Sequence, residues 1–293
     1  MSLRAKVMKL TRKLLPIHNT EEAMAYMNER IESGEPFMAA RFGAVEIKAM
    51  LFVLLPWPIR CAFKKWALHD MEMNAGFFPV SQESLKKFTK IMLDGIDKLD
   101  VLASWRIEEV YFHKRLAHAY KMSLGCMGPI LPPPVQYWSK ALKNKKVLII
   151  SPFTESMKKQ YEEHREKIFG DMTDQVLPQF AKLETVKAVQ TIAGNRGQWD
   201  SWFDALEYME REIDKKDFDV ALLGCGAYGF PLAAYIKSIG KQAIHVGGPL
   251  QLYFGIKGKR WTDRGFYSNE YWISPSENER PKNLKGVEGG CYW

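Results

Sequence analysis

Three glycines late in the chain have a spacing that can bring bare backbone close to a phosphate. Gly224, Gly226 and Gly229 form a G-x-G-x-x-G pattern between two apolar segments. In such a turn a ligand phosphate or sugar can approach the backbone, and the next helix can begin close to the strand. Tyr228 lies inside the same turn. Because three glycines can also form an ordinary turn, the pattern alone is weak evidence for a ligand.

A cation and a carboxylate follow an early apolar segment. Arg41 lies near the end of the predicted strand 37–42, and Gly43 and Glu46 begin the helix after it. An arginine can neutralise a phosphate, and a carboxylate can bind a metal ion or accept a proton. The alternatives are structural: Arg41 can belong to an internal ion pair, and an acid in a first helical turn interacts with the helix dipole.

Polar residues and glycines also follow three other predicted strands. Ser151 and Glu155 come after one apolar strand, Asn195 comes after the next, and Gly247 and Gly248 end the strand that follows the glycine turn. The carboxyl ends of parallel strands meet at one edge of a sheet, where α/β proteins bind their ligands. We therefore expect one composite site formed by these residues and the two groups described above. Asn195 can equally serve as a turn residue.

The elements that must position these residues alternate along the chain. Apolar runs typical of buried parallel strands alternate with segments of helical periodicity. The predicted strands are 37–42, 100–104, 146–150, 186–192, 219–223 and 241–246, and the main predicted helices are 81–99, 107–121 and 199–214. This order predicts an α/β fold, Rossmann-like, with a mostly parallel sheet and helices on both faces. We expect a single compact domain at 19–293, with a helical, basic amphipathic N-terminal segment at 1–18 and an aromatic C-terminal strap.

Three segments can have either a packing role or a surface role. The basic N-terminal helix at 3–15 can pack on the body or lie on anionic lipid. The apolar stretch 50–59, broken by Pro56 and Pro58, can end a core helix. Because basic and aromatic residues follow it, this stretch can also form a lip that touches a membrane or a lipid-linked acceptor. The aromatic strap, which includes Arg260, can simply cross the domain or close the ligand site.

Composition narrows the compartment and the partners. The balance of 42 Lys+Arg against 34 Asp+Glu gives a net charge of +8, which favours an anionic partner. The four cysteines lie far apart without a C-x-x-C pair, so neither a zinc site nor a disulfide framework is expected. No apolar run reaches the roughly 18–20 residues of a membrane span, and the N-terminus lacks a signal-peptide pattern. The expected location is the cytoplasm. No nucleic-acid partner is expected, because the positive charge is spread out.

The position of the glycine turn disfavours two familiar classes of nucleotide-binding protein. In NAD-binding enzymes and SAM-dependent methyltransferases the turn opens the domain, and an acid after the second strand holds ribose hydroxyls. Here the turn comes late, and the second strand ends His245-Val-Gly-Gly248 without an acid. Both classes remain as less favoured alternatives. His245 itself is expected to be a core histidine with satisfied hydrogen bonds.

Three segments together resemble the GT-D type of nucleotide-sugar glycosyltransferase. They are the segment Arg41-Phe42-Gly43-Ala44-Val45-Glu46, the strand at 145–150, and the strand-glycine-helix-strand unit at 218–248. The resemblance implies a sheet that binds a nucleotide-diphosphate sugar donor and transfers the sugar to a saccharide or lipid-linked acceptor. It further implies a role in cell-surface glycan synthesis, in the cytoplasm or at the inner membrane face.

The resemblance also raises the question of a metal. In better-known members the first motif is Asp-x-Glu, whose carboxylates hold a divalent metal on the diphosphate. Ala44 replaces that Asp here, and a single carboxylate is a poor site for Mg²⁺ or Mn²⁺. Either Glu46 holds the metal with substrate oxygens and waters, or Arg41, Arg196 or Arg260 neutralises the diphosphate instead. Glu46 would be the metal ligand or the catalytic base, and the alternative is a non-catalytic nucleotide- or sugar-binding protein.

Overall fold

Seven strands form one sheet in the described part of the chain, which comprises residues 11, 13–129, 136–266, 268–281 and 290 of the computed structural model. Every neighbouring pair is parallel, in the order β3–β2–β1–β7–β6–β4–β5. The strands are β1 (Phe37–Ala40), β2 (Val101–Ser104), β3 (Tyr120–Ser123), β4 (Lys146–Ser151), β5 (Lys182–Lys187), β6 (Val220–Leu223) and β7 (Gln242–His245). The predicted α/β fold with a mostly parallel sheet is therefore confirmed.

Helices cover both faces of this sheet. The helices are α1 (Thr20–Glu32), α2 (Ala44–Leu54), α3 (Met71–Met73), α4 (Gln82–Asp97), α5 (Thr154–Ile168), α6 (Thr173–Val176), α7 (Trp202–Asp214), α8 (Gly229–Ser238), α9 (Leu250–Tyr253) and α10 (Lys259–Thr262). Successive strand residues point to opposite faces. Met38 and Ala40 of β1 pack with α2, α4, α7 and α8, whereas Phe37 and Ala39 pack with α1, α5 and α9. Burial on both faces explains why β1 and β6 contain only apolar residues.

The chain leaves neighbouring strands toward opposite faces at two places. After β4 it enters α5 on one face, and after the adjacent β6 it enters α8 on the other. After β1 it enters α2, and after the adjacent β7 it enters α9 on the opposite face. Both divergences lie outside the carboxyl ends of the strands, which is where open α/β sheets bind ligands.

The prediction of a helix at 107–121 is wrong. The segment begins as a short 3-10 helix, Ile107–Phe112, and ends in β3 at one edge of the sheet. The Glu109 carboxylate accepts the N–H groups of Trp105 and Arg106, and these bonds stabilise the tight first turn. Strand β3 has only four residues, Tyr-Lys-Met-Ser, and so lacks the apolar run that reveals a buried strand in the sequence.

The strand predicted at 186–192 lies earlier, as β5, and residues 188–200 form an irregular loop. Ala188 and Thr191 are buried in this loop, and Val189 packs partly buried against the core, although none of them belongs to a strand. A methyl group on Gly76 would lie 2.6 Å from the Thr191 hydroxyl oxygen. The helix predicted from 199 begins at Trp202, because the Ser201 hydroxyl caps the Asp204 N–H at 3.2 Å.

The two ends of the chain are described in part. Residues 1–10 and 12 of the predicted N-terminal segment lie outside the described residues, whereas Leu15 is buried. The C-terminal strap packs Trp261 and Trp272 against the face that holds α5. A 3-10 turn, Glu277–Glu279, follows, and residues 282–289 and 291–293 lie outside the described part.

Candidate functional site

The ends of β2, β1 and β7 meet around the Arg41 side chain. Arg41 follows β1, and a methyl group on Gly247 would lie 3.4 Å from its Nε atom. The Arg41 guanidinium carbon lies 5.3 Å from the centre of the Trp105 ring, in a cation–π contact. The Trp105 indole N–H donates to the Phe42 carbonyl at 2.8 Å. The guanidinium is thus held between an aromatic ring and bare glycine backbone.

Trp105 gives this edge a partly exposed aromatic surface. The residue is 40% exposed, and a second guanidinium, that of Arg106, lies 5.0 Å from its ring centre. Arg106 is neutralised by Glu108, with which it makes two hydrogen bonds of 2.8 and 3.0 Å. An exposed indole beside an arginine suits a ligand that has both a flat or apolar face and a negative charge.

The glycine turn lies directly beside Gly247. A methyl group on Gly224 would lie 3.0 Å from the Gly247 carbonyl oxygen, and the Gly247 N–H donates to Leu223 at 3.0 Å. The turn continues as the 3-10 helix Gly226–Tyr228 and then as α8. Neither helix has a side-chain cap or an acid in its first turn. Arg41, Gly224 and Gly247, predicted as parts of one site, are therefore brought together.

His245 lies beneath this turn, and neither of its ring nitrogens has a hydrogen-bond partner in the described part of the chain. The residue is 2% exposed, and its Nε2 atom occupies the space that a methyl group on Gly229 would need. Burial, and then the charge of Arg41, lower the pKa of His245 to about 3, so the ring is neutral. The Arg41 main chain opposes this lowering of the His245 pKa, but it does not lie in hydrogen-bond geometry with either ring nitrogen. The expectation of a buried histidine is confirmed, and the expectation that its hydrogen bonds are satisfied is wrong.

The Glu46 carboxylate is folded back onto the start of its own helix. Glu46 is the third residue of α2, Gly43 is the N-cap, and Glu46 is 9% exposed. Its carboxyl group occupies the space that a methyl group on Gly43 would fill. An acid at this position interacts favourably with the helix N-terminus. This geometry matches the structural alternative for Glu46, while its role as a base or metal ligand stays a prediction.

The start of α5 binds a carboxylate from the C-terminal strap. Glu279 accepts the N–H groups of Glu155 at 2.8 Å and Ser156 at 3.3 Å, and it also accepts the Ser156 hydroxyl. The Glu155 carboxylate pairs with Lys187 at 2.9 Å, and the Ser151 hydroxyl accepts the Phe153 N–H at 3.1 Å. Glu279 is 3% exposed. The helix terminus that we expected to receive a ligand is therefore occupied by the chain itself.

Sequence reasoning missed Glu279 because it lies in no motif and is 124 residues from its partner Glu155. The one available signal was the predicted strap, which was expected to reach the carboxyl edge. Glu109 was also missed. It is fully buried after β2, and burial raises its pKa to about 7 although hydrogen bonds from Ser104, Trp105 and Arg106 oppose this change.

The side chains of Asn195 and Tyr228 have partners elsewhere. Asn195 accepts the Gly197 N–H at 3.3 Å, as expected of a turn residue. The Tyr228 hydroxyl shares a 2.8 Å hydrogen bond with Thr191, and the Tyr228 ring stacks on Trp202 at 4.8 Å. Burial raises the pKa of this phenol. Tyr228 therefore packs in the core beneath the glycine turn.

The remaining candidates lie on connecting segments. Gly248 follows Gly247 in the turn into α9, and its carbonyl accepts the Gln251 N–H at 3.3 Å. Arg260 belongs to α10 in the strap. Arg196 pairs with Glu72 at 3.3 Å on the loop after β5. Of the three candidate cations, Arg41 is the one that the structure places beside the paired glycines.

The donor set does not fit a metal ion held by the protein. In the part of the chain that the structure describes, no three His, Cys, Asp or Glu side chains form a group that could hold one. Ala44 supplies no oxygen, and Glu46 is engaged at its own helix terminus. Mg²⁺ and Mn²⁺ need several oxygen ligands in octahedral geometry. We therefore derive no step that runs through a metal.

Comparisons with known proteins give distant structural similarity. No protein-family model and no curated protein matches the chain. It is similar to a solved structure described as "the highly conserved domain of unknown function 1792", with "a distinct glycosyltransferase fold", at 13% identity and a TM-score of 0.49, over 98% of this chain and 95% of that chain. A structure described as a new glycosyltransferase from Streptococcus sanguinis has 11% identity and a TM-score of 0.46, over 94% of each chain. Likeness at this distance assigns no residue and no reaction to this chain.

Proposed function

We propose that the protein transfers a sugar from a nucleotide-diphosphate donor to a hydroxyl group of a saccharide or lipid-linked acceptor. The observation that carries this proposal is the Arg41 guanidinium, which lies beside bare Gly247 backbone at the carboxyl edge of a parallel sheet. No carboxylate pairs with it among the described residues. An arginine that has no carboxylate partner, at the carboxyl edge of a parallel sheet, is suited to bind a diphosphate.

The 3-10 turn Gly226–Tyr228 that leads into α8, in which Gly226 is exposed, is the helix terminus best suited to the anionic part of the donor. Glu46 lies on the N-terminus of α2, and Glu279 binds the first amides of α5. The turn at Gly226–Tyr228 and α8 have no side-chain cap and no acid in the first turn. Backbone N–H groups at a helix start attract phosphate. The imidazole of His245 is buried beneath this turn without a hydrogen-bond partner, which supports a polar ligand near the turn.

The reaction requires charge stabilisation on one side and a base on the other. The bond between the anomeric carbon and the diphosphate oxygen breaks, and the acceptor oxygen bonds to that carbon. Arg41 stabilises the charge that develops on the leaving diphosphate. The acceptor proton passes to a base, for which Glu46 is our candidate, once its carboxylate turns away from Gly43. The exposed indole of Trp105 offers a surface on which the sugar or the nucleobase of the donor can stack. We place the activity in cell-surface glycan synthesis.

Binding without turnover is the second candidate function. Two observations favour it: Ala44 stands where the resemblance implies a carboxylate, and Glu46 is already engaged as a helix-terminal acid. A chain of this kind would bind a nucleotide sugar through Arg41 and the glycine turns. It would not activate an acceptor.

Calorimetric titration with nucleoside diphosphates and nucleotide sugars, with and without Mn²⁺, tests the donor site. Hydrogen bonds to charged groups contribute about 1.5–3 kcal/mol, so Arg41→Gln should weaken diphosphate binding roughly tenfold or more. Arg196→Gln is the matched control, because that arginine pairs with Glu72 away from the glycines. Equal affinity of Arg41→Gln and wild type would refute the site. Nucleotide release from the donor, measured with an acceptor panel, then separates the two functions. A transferase should release nucleotide and lose this activity in Glu46→Gln, whereas a binding protein should release none.

A further inference from the structure

The segment 52–68, which we name the tip, is largely exposed and carries large apolar side chains. It includes the end of α2, a turn at Trp57, the 3-10 helix Ile59–Phe63 and a turn of π-helix. Trp57 is 78% exposed, Ile59 is 57% exposed and Leu68 is 39% exposed. Large apolar side chains at this exposure cost free energy in water unless another surface covers them.

The tip is not exposed through loose packing. Residues on the inner side of its two helical arms, Met50, Leu51, Ala67 and Met71, are buried in the core on the face that holds α2 and α4. The Lys48 ammonium lies 3.8 Å from the centre of the Trp66 ring, which joins the two arms. The fold therefore presents Trp57 and Ile59 on a rigid support.

The charge that the tip exposes is positive, whereas Lys48 at its base pairs with Glu108 at 3.9 Å. Residues 47–69 contain no Asp or Glu. Lys64 and Lys65 are exposed, and neither makes an ion pair in the part of the chain that the structure describes. The Arg60 guanidinium lies over the Phe52 ring, 4.4 Å from its centre. Three cations, Arg60, Lys64 and Lys65, thus follow the exposed Trp57 and Ile59 within one short segment.

We propose that the tip docks on an anionic lipid bilayer. Trp57 and Ile59 would enter the interface, where tryptophan is favoured, and Arg60, Lys64 and Lys65 would face the lipid phosphates. None of the described helices has the length and apolar character needed to cross a bilayer, so the contact is with its surface. A second copy of the chain is a poorer occupant, because two tips of the same charge repel each other. The proposal does not depend on the proposed function.

Sedimentation with vesicles tests the docking. Wild type should bind vesicles of phosphatidylcholine with phosphatidylglycerol, bind phosphatidylcholine alone far less, and lose binding as salt is raised. Trp57→Ser/Ile59→Ser and Lys64→Glu/Lys65→Glu should each weaken binding by about tenfold or more. Lys143→Glu/Lys159→Glu makes the same charge change on exposed lysines away from the tip and should retain binding. Circular dichroism and thermal unfolding verify that every variant is folded.

The Cys61 thiol offers a second readout, because it is exposed within the tip whereas Cys126 and Cys225 are buried. With Cys291→Ser in place, a polarity-sensitive fluorophore on Cys61 should shift to shorter wavelength with anionic vesicles. The proposal is overturned if wild type does not bind anionic vesicles, or if the tip and control variants lose binding equally. If vesicle binding is absent and Trp57→Ser/Ile59→Ser dissociates a wild-type dimer, the tip is instead an interface between two copies of the chain.

Discussion

Replacing Glu109 by glutamine should change how the stability of the protein depends on pH. The Glu109 carboxyl group is fully buried, and it accepts the N–H groups of Trp105 at 3.2 Å and Arg106 at 3.1 Å as well as the Ser104 hydroxyl. Glutamine has the same shape, and its oxygen can keep both amide hydrogen bonds. Its own N–H can donate to the Ser104 oxygen, because a hydroxyl also accepts. The substitution therefore removes the ionisation and retains the contacts.

The size of the effect follows from the pKa. Burial raises the pKa of Glu109 from 4.5 to about 7, so the folded state holds this proton more tightly than the unfolded chain. As pH rises from 4.5 to 7, the unfolded chain ionises first, and the free energy of unfolding of wild type falls. A tenfold change in proton affinity corresponds to about 1.4 kcal/mol, so the loss is about 3 kcal/mol. Glu109→Gln should escape this loss.

Urea unfolding, followed by circular dichroism between pH 4 and pH 8, measures the difference between variant and wild type. The stability of Glu109→Gln relative to wild type should increase by about 3 kcal/mol across this range. Glu29→Gln, which removes one negative charge from an exposed position, is the control variant. A difference for Glu109→Gln that does not vary with pH would refute the reasoning, because it would mean that the buried carboxyl has an ordinary pKa.

Four further substitutions test other contacts of the edge. Burial lowers the pKa of His245 from 6.5 to about 3, so wild type loses stability as pH falls below 6.5; His245→Leu should avoid about 3 kcal/mol of that loss by pH 4.5 in urea unfolding. Gly43→Ala places a methyl group in the space of the Glu46 carboxylate, which can turn away, so the expected cost in thermal unfolding is the lost interaction with the helix start, about 0.3–1 kcal/mol. Adding Glu46→Ala to Gly43→Ala should add little to this cost, whereas strict additivity would contradict the overlap. Glu279→Ala removes an acceptor from the first amides of α5 and should speed protease cleavage of the strap, with unchanged cleavage counting against the contact.

The sequence was informative where one element carries its own signal. Strands β1, β4 and β6 consist mainly of apolar residues because both of their faces are buried, and this pattern is visible without a structure. Strand β3 is not visible, because an edge strand of four residues buries little. The predicted position of β5 was wrong because the residues of the loop that follows it resemble a strand in composition.

The candidate site shows the same division. The carboxyl edge and its glycine turns follow from local sequence, because a strand followed by a glycine turn is a local pattern. The contact of Arg41 with Gly247 depends on which strands are neighbours, and no local pattern contains that information. The hydrogen bond from the first turn of α5 to Glu279 depends on the path of an irregular strap, and sequence periodicity does not describe that path.

Strand β7 is the element that assembles the candidate site, because it lies between β1 and β6. Its register places Ile244 opposite Ala39 and His245 opposite Leu223, so Gly247 reaches both Arg41 and the glycine turn. The buried Gln242 amide donates to the carbonyls of Arg30 and Glu35, each at 2.9 Å, and fixes the start of this strand. A slip of one residue would break both bonds and turn His245 toward the opposite face. The amide of Gln242 at the far end of β7 therefore helps to set the position of Gly247 beside Arg41.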